Sequence, residues 1–281
     1  MKLMTLKEAI AESVVDGACV ALEGFTHLIP FAAGHEIVRQ RRRDLHLVRM
    51  TPDLIYDQMI GMGCASKLTF SWGGNPGVGS LHRLRDAVEH QWPVPLEIDE
   101  HTHAGIAAAY CAGAARLPFA VLRGYLGTDL PAVNPRIRSI NCPFTGERLA
   151  AVPAINPDVT ILHAQRADRR GNVAMHGIVG AQREAALAAT TLIVTVEEIV
   201  DTLPPAMNGI LLPHWVVGAV VHCPGGAYPS YVQDRYERDN SFYQRWDAIA
   251  RERETFLRWM EQHVLDSPDH ATFLASLREA A

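Results

Sequence analysis

Three stretches of this chain gather residues able to do chemistry. The first is Glu97-Ile98-Asp99-Glu100-His101-Thr102-His103, a run of carboxylates and imidazoles at the end of an apolar segment. A carboxylate held at a strand tip can attack an electrophilic carbon or take up a proton, and Glu100 is the residue best placed for that. His101 and His103 would tune it, because a protonated imidazole favours the carboxylate form. The plainer reading is that Glu100 and Thr102 simply open a helix, where acidic residues suit the dipole. Two His beside an acid also fit a metal, but no further His or Cys pair lies near in sequence, so no metal site is expected.

The second stretch is Glu23-Gly24-Phe25-Thr26-His27-Leu28-Ile29-Pro30. A glycine after a strand lets backbone N–H groups approach an anion, and the following helix N-terminus adds a favourable dipole. Otherwise this is a plain strand-to-helix loop with Gly24 serving its turn. The third is Ser71-Trp72-Gly73-Gly74-Asn75-Pro76-Gly77-Val78-Gly79-Ser80. Its spacing is not that of a dinucleotide loop, and Pro76 interrupts it. It either lines a pocket, for instance for a thioester, or runs over the surface and ends in a helix capped by Ser80.

The elements that must position these loops follow from periodicity. Thr5 and Glu8 form a capping box, with Leu6, Ile10, Val14 and Val15 at helical spacing. Short apolar runs at Ala18–Leu22, Leu45–Val48, Lys67–Trp72, Leu96–Asp99, Val159–His163 and Leu192–Val196 read as buried strands. Helices are expected between them, after Pro30 to Arg42, over Asp53–Met62, Ser80–His90 and Thr102–Ala115. Strand and helix in alternation predict a Rossmann-like α/β protein with an open, mostly parallel sheet. Both glycine loops then belong on the carboxyl edge of that sheet, where ligands bind. Asn134–Pro157 is the least regular segment and reads as an excursion from the sheet. Without a Gly/Ser or Pro-rich linker, residues 1–281 read as one domain with a helical region from about 239 to 281.

Composition sets limits. The chain has 281 residues, 48% hydrophobic and 20% charged, with a formal net charge of −5. That balance is globular and argues against a nucleic-acid partner. Cys19, Cys64, Cys111, Cys142 and Cys223 include no C-x-x-C pair, so free, buried thiols in a reducing compartment are expected. With no signal-like apolar run at Met1–Ala11 and no membrane span, a cytoplasmic protein is expected. The basic run Arg39, Arg41, Arg42, Arg43 reads as a solvated helix end.

Further motifs carry a resemblance. His163-Ala164-Gln165 with Ala167-Asp168-Arg169-Arg170-Gly171-Asn172-Val173, then Leu192–Val200, then Pro224-Gly225-Gly226-Ala227-Tyr228-Pro229-Ser230 resemble, in order, the α-subunits of family I CoA-transferases of the glutaconate type. Leu126–Asp129, Val152–Asp158 and Asp16–Pro30 also match, although Glu23-Gly24-Phe25-Thr26 stands where that family has Gly-Gly-Phe-Gly. The resemblance implies a hetero-oligomer with a β-subunit, as a heterodimer or α2β2. It implies coenzyme A as part of the substrate, with no permanently bound cofactor, and a nucleophilic glutamate supplied by the β-subunit. Gly24, Phe25, Thr26, His27 and Pro30, with Gly73, Gly74 and Asn75, would form the substrate and oxyanion region, and Glu100 would face the same cleft. The related steroid ring-opening CoA hydrolase shares this plan, so thioester hydrolysis using Glu100 is the alternative. A non-catalytic effector-binding module is a third reading, disfavoured by the lack of a helix-turn-helix segment.

Overall fold

The computed structural model describes residues 2–76, 78–203 and 209–279. Gly77 of the glycine loop and Ala280 and Ala281 of the expected helical tail lie outside the described residues. After β1 (Lys2–Leu3), the capping box forms as expected and starts α1 (Leu6–Ser13): the Thr5 hydroxyl accepts from the Glu8 N–H, and the Glu8 carboxylate accepts from the Thr5 N–H. Strand and helix then alternate through β2 (Cys19–Leu22), α2 (Phe31–Arg39), β3 (Leu45–Val48), α3 (Leu54–Gly61), β4 (Ala65–Phe70), α4 (His82–His90), β5 (Glu97–Glu100) and α5 (His103–Ala114).

The excursion expected over Asn134–Pro157 is present and begins earlier, at Phe119. β6 (Phe119–Leu122), the short α6 (Leu130–Val133), β7 (Arg138–Asn141) and β8 (Arg148–Pro153) build a separate antiparallel sheet in the order β6-β8-β7. The chain returns as β9 (Val159–Asp168), β10 (Val173–His176), α7 (Gln182–Ala188), β11 (Thr191–Val200), β12 (Gly209–Leu212) and β13 (Ala219–His222). It ends in α8 (Asn240–Arg251), α9 (Arg253–Trp259), a π-helical turn at Met260–Leu265, and α10 (His270–Glu279).

The main sheet runs β1-β13-β11-β9-β2-β3-β4-β5, and every pairing along that path is parallel. β9 and β11 are twice as long as their apolar cores suggested. Their ends keep pairing, Ile199 with Ala167 and Val200 with Asp168, and β10 and β12 add an antiparallel extension. From β2 the chain moves outward to β5, then crosses back to β9 and moves the other way. The switch point therefore lies between β2 and β9, the crevice where open α/β sheets bind ligands.

Alternation along the strands divides the core. Val20 and Leu22 pack on the side of α1 to α4 and the C-terminal helices, whereas Ala21 faces α5 and α7 with Val48, Met50, Ile106 and Tyr110. Trp246 of α8 is fully buried in the first layer, stacked on Phe242 and edge-on to Phe256 and Trp259. One expected cap is replaced. Leu81, not Ser80, precedes α4 and offers no side-chain cap. The carboxylate of Asp57 on α3 reaches across instead and accepts from the Arg83 and Leu84 N–H groups at 2.8 and 2.9 Å. A buried acid thereby satisfies the orphan donors of a neighbouring helix.

Candidate active site

At the switch point the end of β2 runs into the Gly24 loop. Glu23 turns inward, only 3% exposed, and its carboxylate accepts from the Met50 N–H and the Tyr110 hydroxyl, both at 3.0 Å. Burial raises its pKa, opposed by the Arg49 charge and by these donors. Arg49, just past β3, is buried on the other side of the loop. Its guanidinium donates to the Gly24 carbonyl at 2.8 Å and to Asp53 at 2.9 Å. The place of a family glycine is thus taken by a side chain that points away from the loop surface.

Gly24 is required by close approach. A Cβ there would lie 2.6 Å from the Leu28 carbonyl oxygen and 2.9 Å from that of His27, because the loop curls back over it. Thr26 and Leu28 have left-handed backbone, φ 63° and 54°, unfavourable for residues with a side chain. Phe25 is half-buried and Thr26 exposed, and no described residue accepts from their N–H groups. His27 is fully buried and stacks on Tyr231 at 4.9 Å between ring centroids. Its ring nitrogens make no full hydrogen bond, and burial holds its pKa below the ordinary value, with weak opposition from the Ile178 backbone. Pro30 ends the loop at the start of α2. The dipole expected to serve an anion there is partly spent, since the Ala32 N–H donates to the Gly226 carbonyl at 3.0 Å.

The glycine loop is tied down by its own residues. Gly74 lies under the Trp72 ring and donates to the Pro52 carbonyl, and Asn75 is buried with its amide donating to the Tyr243 carbonyl of α8 at 2.8 Å. Gly73 packs near Leu84 of α4. These contacts anchor the loop to the C-terminal helices and leave Trp72, 47% exposed, at its surface.

Glu100 ends β5, the edge strand, paired with Phe70 and exposed. It shares the carboxyl edge with Gly24 but stands three strands from β2, roughly 14 Å away at ~4.8 Å per strand. The fold brings the Gly24 loop together with Glu23 and Arg49, and holds Glu100 at the rim. Thr102, not Glu100, caps α5, its hydroxyl accepting from the Gly105 N–H at 3.0 Å. Neither histidine pairs with Glu100. His101 is buried between Asp99 and the Tyr125 hydroxyl, each at 3.0 Å, and His103 meets the Ser71 hydroxyl at 3.3 Å. Asn134 donates to Asp99 and to the Glu100 carbonyl, latching the small sheet's segment to this strand end. Burial pushes Asp99 up, yet His101, Asn134 and Thr69 outweigh it and hold its carboxyl well below the usual range.

Beyond the switch point the motifs of the second half converge. Glu197 on β11 accepts from His163 of β9 at 2.7 Å, the Gly225 N–H at 2.9 Å and the Tyr236 hydroxyl at 2.8 Å. A side chain on Gly226 would collide with the His163 ring, so the Pro-Gly-Gly turn is pressed onto this pair. Arg49 and Asp53 lie outside the three chemistry-bearing stretches of the sequence. Their one signal is a charge placed directly after an apolar strand with an opposite charge four residues on. The basic run is mostly spent on internal contacts, Arg39 on Glu36 and Arg42 on the Ala11 carbonyl. Of the thiols, Cys64 and Cys223 are buried, but Cys111 is exposed.

An open, mostly parallel sheet with a glycine-pinned loop at its switch point defines an α/β protein of the kind that binds ligands along one sheet edge. The coenzyme A transferase family model matches residues 3–222, and the chain belongs to that family. It is a CoA-transferase subunit of the α kind. It is 65% identical to the A-type subunit of 3-oxoadipate CoA-transferase from Pseudomonas knackmussii over 99% of both chains. The A-type subunit of glutaconate CoA-transferase from Acidaminococcus fermentans is 33% identical over 98% of this chain and 92% of its own. The crystal structure of that glutaconate CoA-transferase superposes with a TM-score of 0.89, covering 99% of this chain and 93% of the matched one at 31% identity. The structure of the decarboxylase AibA/AibB, in a cysteine-to-serine variant, superposes at 0.81, with 32% identity over 92% of this chain and 98% of that one. Among the described residues, no helix is long and apolar enough to cross a membrane.

Proposed function

We propose that this chain is the α-subunit of a cytoplasmic CoA-transferase that loads coenzyme A onto 3-oxoadipate or a closely similar dicarboxylic 3-oxo acid, in a heterodimer or α2β2 complex with a β-subunit. The observation that carries the substrate is the 65% identity, over nearly the full length of both chains, to the A-type subunit of the 3-oxoadipate enzyme. In this reading a β-subunit glutamate carboxylate attacks the donor thioester carbonyl and expels CoA thiolate, leaving an acyl-glutamyl anhydride. The thiolate attacks the glutamyl carbonyl, releases the donor acid and forms an enzyme thioester. The acceptor carboxylate then attacks that thioester, and the same steps run in reverse to give the new acyl-CoA, with no net proton change. Each addition develops an oxyanion. The Gly24–Pro30 loop is the donor this chain supplies, and one such donor is typically worth ~10²–10³ in rate. Glu100, at the rim, is the carboxylate this chain turns toward the shared cleft. Coenzyme A enters only as part of the substrate.

The test is co-expression with the β-subunit and assay of acyl-CoA donors against 3-oxoadipate and other acids. Faster transfer to an unrelated acid refutes the substrate assignment. Thioester loss without any acceptor points to hydrolysis. The chain without its partner is expected to transfer no CoA.

A further inference from the structure

We propose that Arg49 is a positioning residue that aims the Phe25 N–H as an oxyanion donor. This rests on the transferase reading above and names the device behind its donor loop. The Gly24–Phe25 peptide is trans, so the Gly24 carbonyl and the Phe25 N–H point in opposite directions. Arg49 pins the carbonyl from beneath the loop at 2.8 Å, and the N–H is thereby turned to the side away from Arg49. That N–H donates to no described residue, although the chain around it is tightly packed: Gly24 is covered by the loop's own backbone, and Phe25 is wedged against Gly180. A fixed peptide plane with an unspent donor is what stabilising a developing negative charge needs, because no reorganisation is required when the charge appears. Thr26, which follows, has left-handed backbone at φ 63°.

The arginine is itself held. Asp53 takes its Nη1, and the guanidinium lies 5.5 Å from the Tyr56 ring centroid. It is also essentially buried, 1% exposed, so it reaches substrate only through the backbone it orients. A surface role is excluded for it.

The experiment uses the α–β complex. Arg49→Met is made with Asp53→Asn, so that no buried carboxylate is stranded, and compared with Asp53→Asn alone and with Arg49→Lys. We expect the double variant to assemble and to keep KM for the acyl-CoA within about threefold, while kcat falls ~10²-fold. Asp53→Asn alone, which loosens the guanidinium but keeps its bond to the Gly24 carbonyl, should lose less than the double variant, and Arg49→Lys, which retains a donor for that carbonyl, should recover part of the loss. In parallel, ¹⁵N-Phe labelling follows the Phe25 amide, assigned with Phe25→Leu. Adding acetyl-CoA as the thioester probe should shift this resonance in the wild type and not in the double variant. Unchanged kcat in the double variant, or an equal amide shift in both, overturns the proposal. If the wild-type complex transfers no CoA from any donor, the transferase reading fails, and the amide shift alone then decides the role of Arg49. If the double variant does not assemble, the Arg49→Lys and Asp53→Asn complexes decide by the same two readouts.

Discussion

His163 of β9 and Glu197 of β11 meet at 2.7 Å across neighbouring parallel strands, and the other ring nitrogen of His163 meets the Thr195 hydroxyl at 2.8 Å. The carboxylate also holds Gly225 and Tyr236, so three donors converge on one buried acid. Removing it by Glu197→Ala leaves them without a partner, each costing about 1–3 kcal/mol. Thermal unfolding should move down by several degrees at least.

The same acid sets part of the pH response. Burial pushes Glu197 up, but His163, Gly225 and Tyr236 outweigh it, so its folded pKa lies below the unfolded value. Its stabilisation is therefore present above the ordinary glutamate value and lost as pH falls toward the folded pKa. Melting curves from pH 7 downward should show the wild type converging on Glu197→Gln below about pH 4.3. A constant gap between the two would show that the carboxyl titrates alike in the folded and unfolded states.

Asp57 acts in the opposite sense. Burial raises its pKa to about 6, against the pull of the Leu84, Trp246 and Arg83 donors. The folded state then binds a proton that the unfolded chain releases, so the wild type loses stability relative to Asp57→Asn as pH rises from about 4 to about 6, by about 3 kcal/mol at most. The measurement is the difference between the two denaturation midpoints across that range.

Gly24→Ala should be severe, because its Cβ meets backbone on three sides. Overpacking against atoms that cannot rotate away costs about 1–3 kcal/mol or more, and the donor loop must shift. Transfer should be abolished. Gly17→Ala, with open space around it and only a positive φ of 80°, should cost roughly 1 kcal/mol and leave transfer intact.

Glu100→Gln separates the role proposed for this residue from a structural one. Its side chain is exposed, and α5 is capped by Thr102, so unfolding should be unchanged. A fall in turnover of tenfold or more in the complex corresponds to at least ~1.4 kcal/mol of transition-state stabilisation. Wild-type turnover would remove Glu100 from the site.

The strands and helices that carry the site were legible because each rests on local physics. The Thr5–Glu8 box, the apolar runs of β2 to β5 and the Thr102 cap depend on neighbours a few residues away. The order of the later motifs also held enough information to resemble one family. What no local pattern decides is which side chains meet across the sheet. Asp57 caps a helix some 25 residues on, Asn75 is bound to Tyr243, and Glu197 joins β9, β11 and the turn after β13. Glu100 and Gly24 lie on the same edge by sequence, yet strand order sets them three strands apart. Arg49 and Glu23 read as ordinary charges after strands. Only the packed sheet turns one beneath Gly24 and the other away from it, since the desolvation that makes their bonds decisive arises when α3 and α5 close over opposite faces.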